Sequence, residues 1–334
     1  MGFLNTLLLS IMKGMHSIIN NYALTIILFT IFIKLVVMPL NLKSRRSTMR
    51  MSSVQPKMQA LQEKYKDDQE KLNQKMQELY RSEGVSPLGG CMPMIFSMVI
   101  LFAMFYALRT FANEHLVEQF LTFYHNPTID PMTLTDKFLW IKNLWMPDSP
   151  FATYLPDAQS LQMVEFDVWN NVSASLAAAG KIPEALNFAD RNAVTAYVNE
   201  IAAPFIASEA YAPYIAPVAG LGNLSILGII KFTVYKIGNG WFILPLLSIV
   251  SQIFMQNLTM KQQMAQTANQ AGNPKTMLYV MTFMSLYFCA IYNSAFALYW
   301  VISNVYAIVE HIAFDRYFKQ QDRKAAKAEE VGVK

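Results

Sequence analysis

The sequence predicts an all-α polytopic membrane protein with five spans, a cytoplasmic helical hairpin and an inserted extracytoplasmic helical domain. Three observations predict it. Hydrophobic residues make up 54% of the 334 and charged ones only 15%, with 22 Phe and 21 Met, too apolar for most water-soluble chains of this size. Five segments hold the apolar length of about 20 residues that a bilayer crossing needs: 22–41, 88–110, 241–258, 276–292 and 294–313. The net charge is only +4, yet ten of the 27 basic residues fall between Lys43 and Arg81, where acids are the minority.

The elements follow in order. "MGFLNTLLLSIMKGMHSIINNY" lacks the basic start and small-residue cleavage site of a signal peptide, so none is expected. Gly2 and Thr6 fit a myristoylation pattern that chance explains better. Residues 3–19 mix Leu, Ile and Met with Lys13, His16 and Ser17, the composition of a helix lying flat at the interface, within an N-terminal segment 1–21. After the first span, 42–87 reads as a polar helical hairpin with one apolar seam. Met51, Val54, Met58, Leu61 and Tyr65 recur at spacings of 3 and 4, and Leu72, Met76 and Leu79 continue the seam after "KDDQE". Pro56 predicts a kink in the first arm.

Residues 111–240 carry twelve Asp/Glu against six Lys/Arg and form an extramembrane stretch, within which 150–238 is an Ala-rich inserted domain expected to be helical. "NLSILGIIKF" is a weak sixth membrane candidate, opposed by its short length and by Gly222 and Gly228. The third span is the shortest and leads into the loop 259–275. The fourth and fifth nearly touch, with Asn293 and Ser294 suited to the turn between them, and a basic tail of 314–334 follows. Bases near the span ends place the hairpin, the 259–275 loop with Lys261 and Lys275, and the tail with its six bases in the cytoplasm. The N-terminus and the acidic insertion then lie outside, with the C-terminus inside. Cys91 and Cys289 lie in apolar runs, which excludes a disulfide framework and a thiolate metal site from the expectations.

"FTIFIKLVVMPL" places Lys34 inside the first span, roughly 9 Å of helix rise from its end at Leu40. A cation there costs about 2.5 to 3.5 kcal/mol at a helix centre, so something must solvate it. Snorkelling toward the interface is the plain reading. Polar stripes on the other spans offer a second. Thr30 lies one turn before Lys34, Ser248, Gln252 and Gln256 are spaced by four on the third span, Thr282, Ser285 and Cys289 mark the fourth, and Ser303 and Asn304 the fifth. Such stripes make interhelical hydrogen bonds or line a wet cavity. No Asp or Glu occurs in any span before Glu310, so Lys34 is expected to lack an internal counter-ion and to attract an acidic group from outside the protein.

Enzymatic readings find no support. His16, His115, His125 and His311 are scattered, and neither HExxH, GxSxG nor a Gly-rich phosphate loop occurs, so no cofactor and no metal is expected. The basic hairpin interleaves acids with its bases, which favours a solvated helical pair over a nucleic-acid surface.

"GVSPLGGCMPMIFSMVILFAMFYALR", following "VQPKMQALQEKYKDDQEKLNQKMQELYRSEG", closely resembles the YidC-type membrane protein insertases of the oxidase-assembly insertase family. The resemblance recurs, in the family's order, in "HSIINNYALTIILFTIFIKLVVMPLNLKSRRSTMRM", "FLWIKNLWMPDSP" and "FALYWVISNVYAIVEHIAF", and covers roughly residues 3–150 and 239–316. It implies a five-span insertase core enclosing a hydrophilic groove open to cytoplasm and lipid. The groove's positive charge, usually arginine, matches Lys34, which keeps the charge and loses the planar guanidinium. The family's aromatic contact on the last span matches Tyr299 and Trp300. The β-sandwich of some relatives and the lipoprotein cysteine of others have no counterpart here, and 150–238 is inserted where family members are usually short.

The resemblance implies insertion of newly made membrane proteins without nucleotide hydrolysis. Nascent membrane proteins and the lipid bilayer are then the partners, with the ribosome and targeting machinery and a Sec-type translocation channel as further ones. A secondary transporter for a small anion is the alternative, with Lys34 as its binding charge, although no inverted repeat supports it. A chaperone-like membrane assembly factor is a third, for which Lys34 is dispensable.

Overall fold

Two asparagines end one helix and begin the next. Helix α1, Gly2–Ile19, stops at Asn20, whose φ of 51° is left-handed, a conformation that Asn tolerates better than most residues. Asn21 then accepts the N–H of Leu24 at 2.9 Å and caps α2, Tyr22–Lys64. The computed structural model describes residues 2–84, 92–222, 224–226, 230–267 and 274–332. The remaining helices are α3 (Gln69–Ser82), α4 (Met92–His125), α5 (Ala158–Gln162), α6 (Phe166–Ala178), α7 (Arg191–Tyr197), α8 (Ala203–Ile206), α9 (Ile243–Thr267), α10 (Pro274–Ile291) and α11 (Ser294–Gly332).

The protein is largely helical, with long apolar helices. Among the described residues two helices are long and apolar enough to cross a membrane: α2 and Ser294–Gln321 of α11. The apolar parts of α9, Ile243–Thr259, and α10, Tyr279–Ile291, are shorter, at 10–17 residues. The expected five spans thus reduce here to two strong candidates. Residues 88–91, the expected start of the second span and the site of Cys91, lie outside the described residues, as do 268–273 of the 259–275 loop.

Hydropathy steps do not end the helices. α2 continues without a break from the apolar run into the first arm of the hairpin, through both Pro39 and Pro56. Likewise α4 runs past residue 110 to His125 and α11 past 313 to Gly332. The chain divides into two compact units, residues 1–29, 103–249 and 284–301 in the first, and 30–102, 250–283 and 302–334 in the second.

The first unit has the larger core. Val117, Phe120, Leu121 and Phe123 from the end of α4 pack with Tyr154, Trp169, Val194, Val198 and Tyr211 of the inserted region. At about 1.5 to 3 kcal/mol for each such side chain, this is ample apolar burial to fix the insertion on α4. Helix α6 ends in a Schellman turn: Gly180, at φ 67°, donates to Ala177 O at 3.0 Å, and Lys181 donates to Leu176 O at 2.9 Å. Asp157 and Asp190 cap α5 and α7. Among the described residues the insertion combines short helices with loops and one small sheet. Leu224–Ile226 (β1) pairs antiparallel with Ile230–Phe232 (β2), Ser225 opposite Lys231, so the described part of "NLSILGIIKF" is a small sheet rather than a membrane segment.

In the second unit, α2 and α3 form a helical pair. Met51, Val54, Met58 and Met76 are buried against one another, with Leu61, Leu72, Leu79 and Tyr80 packed beside them. Asp68 caps α3 by accepting the Lys71 N–H at 3.0 Å, and Lys57 forms an ion pair with Glu83. Tyr65 lies in the connecting turn, its ring 5.4 Å from the Lys64 ammonium, and is not part of the packed seam.

Candidate functional site

Thr30, Lys34, Gln252, Gln256, Ser303 and Asn304 belong to the second unit, and Ser248, Tyr299 and Trp300 to the first. In the second unit, two polar pairs link apolar helices. Asn304 of α11 donates from Nδ2 to Ser251 Oγ of α9 at 3.1 Å. Thr282 of α10 donates to Gln256 Oε1 of α9 at 3.0 Å. Thr30 is fully buried, while Lys34, Gln252 and Ser303 are half-buried. Among the described residues Lys34 forms no hydrogen bond, so its head keeps donors available to water or a ligand.

Lys34 does have an acid within electrostatic reach. Glu310 of α11 is that acid, although the two form no ion pair among the described residues. The two stand 276 residues apart in sequence, which is why spacing within single spans did not pair them. Glu310 is itself held, both of its oxygens accepting from Asn41 Nδ2, at 3.2 and 3.3 Å. One turn further along α2, the Arg45 guanidinium meets the His311 ring at 2.8 and 3.2 Å. Asn41, Arg45, Glu310 and His311 thus tie α2 to α11 two to three turns beyond Lys34. The only sequence signal for them is polarity at the ends of two apolar runs.

In the first unit, Ser248 Oγ donates to Pro245 O at 2.7 Å and accepts from Ser285 Oγ at 3.4 Å, with Cys289 buried nearby. Both ends of this α9–α10 contact are buried, so Ser248 is committed to helix packing. Tyr299 is 4% exposed, and Phe296 packs on both Tyr299 and Trp300, with centroids 6.1 and 5.7 Å away. Trp300 is half-buried and so has more free surface than Tyr299, although its Nε1 is buried without a hydrogen-bond partner among the described residues.

Sequence reasoning also passed over a buried polar clasp in the first unit. Asp148 is fully buried and accepts four N–H groups: Trp241 at 2.8 Å, Phe242 at 3.2 Å, Leu244 at 2.7 Å and Trp140 Nε1 at 3.1 Å. It anchors the start of α9, where a carboxylate also faces the positive end of the helix dipole. Asn239 donates to the carbonyls of Asn143, Met146 and Pro147, and Asn143 donates to Gln119 Oε1 and Tyr154 O. Ser294, the first residue of α11, donates through both N and Oγ to Met146 O, at 2.9 and 2.7 Å. Ser294 is therefore helical, and Asn293 caps α11 through Phe296 N at 2.9 Å. Gly240 is obligatory, because a Cβ there would stand 2.0 Å from Asp148 Oδ1.

Beside the clasp, His115 stacks on Trp145 at 4.5 Å, and burial, with help from His16 and Lys13, pushes its pKa down to about 3. Asp136 accepts from Trp145 Nε1, yet burial pushes its carboxyl up to about 6. Among the described residues no group of three or more His, Cys, Asp or Glu is placed to hold a metal.

Long apolar helices joined by polar pairs are consistent with a helical membrane protein. The chain belongs to the 60Kd inner membrane protein family, whose model matches residues 14–321. It is 41% identical over 158 residues to "Membrane protein insertase YidC" of Chlorobaculum tepidum, a match covering 46% of this chain and 23% of that protein. The protein of the same name from Pelodictyon phaeoclathratiforme is 37% identical over 151 residues, 45% of this chain and 22% of that one. That from Prosthecochloris aestuarii is 44% identical over 108 residues, 32% of this chain and 18% of that one. The chain thus matches less than a quarter of these curated relatives' own length. Family membership is thus shown, and the relatives that the chain resembles in part bear the name of an insertase.

Proposed function

We propose that this chain inserts newly synthesised membrane proteins into the bilayer through a hydrophilic, positively charged groove, without nucleotide hydrolysis. The observation that carries the reading is Lys34, a cation in a long apolar helix of a YidC-like chain, with no hydrogen bond among the described residues and with Glu310 as its nearby acid. The proposed topology has five spans, the N-terminus and insertion outside and the hairpin, 259–275 loop and tail in the cytoplasm.

In this mechanism Lys34, with Gln252, Ser303 and Asn304, receives a polar or acidic tail of the substrate and shortens the dry distance it crosses. Glu310, itself held by Asn41, is the acid within electrostatic reach with which an incoming substrate carboxylate competes. Trp300, with Tyr299 behind it, offers apolar surface to the passing helix. Burial of the substrate's own helix in lipid drives release, each apolar side chain contributing about 1.5 to 3 kcal/mol. An inside-negative potential assists an acidic tail by about 2.3 kcal/mol per charge per 100 mV. The α2–α3 pair meets the nascent protein or its targeting machinery, the basic tail meets the ribosome, and a Sec-type channel is a further partner.

Site-directed photo-crosslinking tests this reading. A probe at Gln252 or Ser303 is expected to capture a stalled single-span nascent chain, whereas a probe at the exposed Met163 of the insertion is not. Equal capture at all three positions contradicts a defined groove.

A further inference from the structure

In the first unit, α1, the start of α2, the middle of α4 and the inserted α6 enclose a cleft of about 570 Å³. Its charges alternate. Lys13 of α1 pairs with Glu114 of α4 at 2.7 Å, and Lys181, just past the Schellman turn of α6, pairs with Glu118 of α4 at 3.4 Å. The four side chains remain 27–54% exposed. Exposed pairs of this kind contribute only about 0 to 1 kcal/mol each, so they add little to stability and exchange partners readily. One wall is aromatic, with His16 stacked on Tyr22 at 3.7 Å.

The position of the cleft points to its occupant. Helix α1 buries Leu8 and Met12 but leaves Leu7 43% and Ile18 86% exposed, and the apolar run of α2 begins three residues after α1 ends. Exposed apolar residues beside a membrane-length helix place α1 at the boundary between headgroups and acyl chains. We propose that this cleft holds the headgroup of a phospholipid carrying both a phosphate and a primary ammonium, with Lys13 and Lys181 on the phosphate and Glu114 and Glu118 on the ammonium. A glycerol headgroup offers the glutamates hydroxyls but no cation, and a choline headgroup has no N–H to donate to them. Lys181 and α6 belong to the insertion, which thereby completes a lipid site over α1. The inference rests on α2 crossing the membrane and not on the insertase reading.

The test uses the full chain in nanodiscs of ethanolamine, glycerol and choline phospholipids in equal parts, followed by native mass spectrometry in mild detergent. The expected result is one retained ethanolamine lipid, favoured several-fold over the other two. A Glu118→Gln/Lys181→Ala variant, which removes the Lys181–Glu118 pair and the Glu118 charge beside His115, should lose the preference, and Lys181→Arg should keep it. Equal retention of all three lipids, or an unchanged preference in the double variant, overturns the proposal. So does saturable binding of soluble glycerophosphoethanolamine without any bilayer preference, which assigns the cleft to a free zwitterion. Retention requires no substrate insertion, so failure here leaves the proposed function standing, and the reverse holds.

Discussion

The two units of the molecule are stabilised in different ways. The first is a large aromatic core closed by a buried carboxylate with four N–H partners and a chain of asparagines. The second has long helices joined by single polar pairs and, in its α2–α3 arm, a seam of four buried side chains. Both units pair their polar groups, but the first gathers them into one buried clasp while the second spreads them as single links between helices.

Three perturbations sharpen that contrast. The largest effect is expected for Gly240→Ala, which forces a methyl group onto Asp148 and opens the clasp. It should destabilise the first unit by at least about 3 kcal/mol, read as a drop in Tm in detergent. Hydrogen exchange should place the loss in the first unit, with the α2–α3 arm unchanged; a loss spread evenly over both would erase the distinction. Next comes Met58→Ala in the seam. Few neighbours surround it and they collapse easily, so the cost should lie near about 2 kcal/mol, at the low end for buried methionine. It should appear as faster amide exchange across 51–82 with no change in the Tm of the first unit.

The smallest effect concerns pH. His115, held at about 3 against an ordinary 6.5, costs stability as pH falls from 6.5 toward 3, because only the unfolded chain takes up the proton there. Asp136, raised to about 6 from 3.8, acts oppositely, since the folded form takes up its proton first as pH falls from 6 to 3.8. Between about pH 6 and 4 the two should nearly cancel in the wild type, with stability falling below that window. His115→Phe retains the stacking on Trp145 and leaves Asp136 alone, so its stability should rise from about pH 6 to 4, by up to about 1.4 kcal/mol per pH unit. A variant with the wild-type acid profile would mean that His115 contributes nothing.

Much of this architecture was legible in the sequence because its signals are local. The 3 and 4 spacing found Met51, Val54, Met58, Leu72, Met76 and Leu79, and the resemblance pointed to "FLWIKNLWMPDSP". Tyr65 continued the same spacing yet falls in the turn, because periodicity does not register where "KDDQE" breaks the helix. Residues 41, 110 and 313 are expected span ends and not helix ends: hydropathy marks where an apolar environment stops, while the backbone has no cause to unwind there, and α2, α4 and α11 run on past them. Long-range partners stayed hidden. Glu310 beside Lys34, Asp148 on the start of α9, and Ser251 rather than another stripe residue as the partner of Asn304 all depend on chain segments brought together only by folding.

The most direct measurement compares wild type, Lys34→Arg and Lys34→Ala at matched expression, in cells depleted of their own insertase, for insertion of a single-span substrate with an acidic N-terminal tail. Insertion retained with arginine and lost with alanine is the predicted result. Insertion by Lys34→Ala equal to wild type would contradict it, and the cation of α2 would then merely reach for the interface.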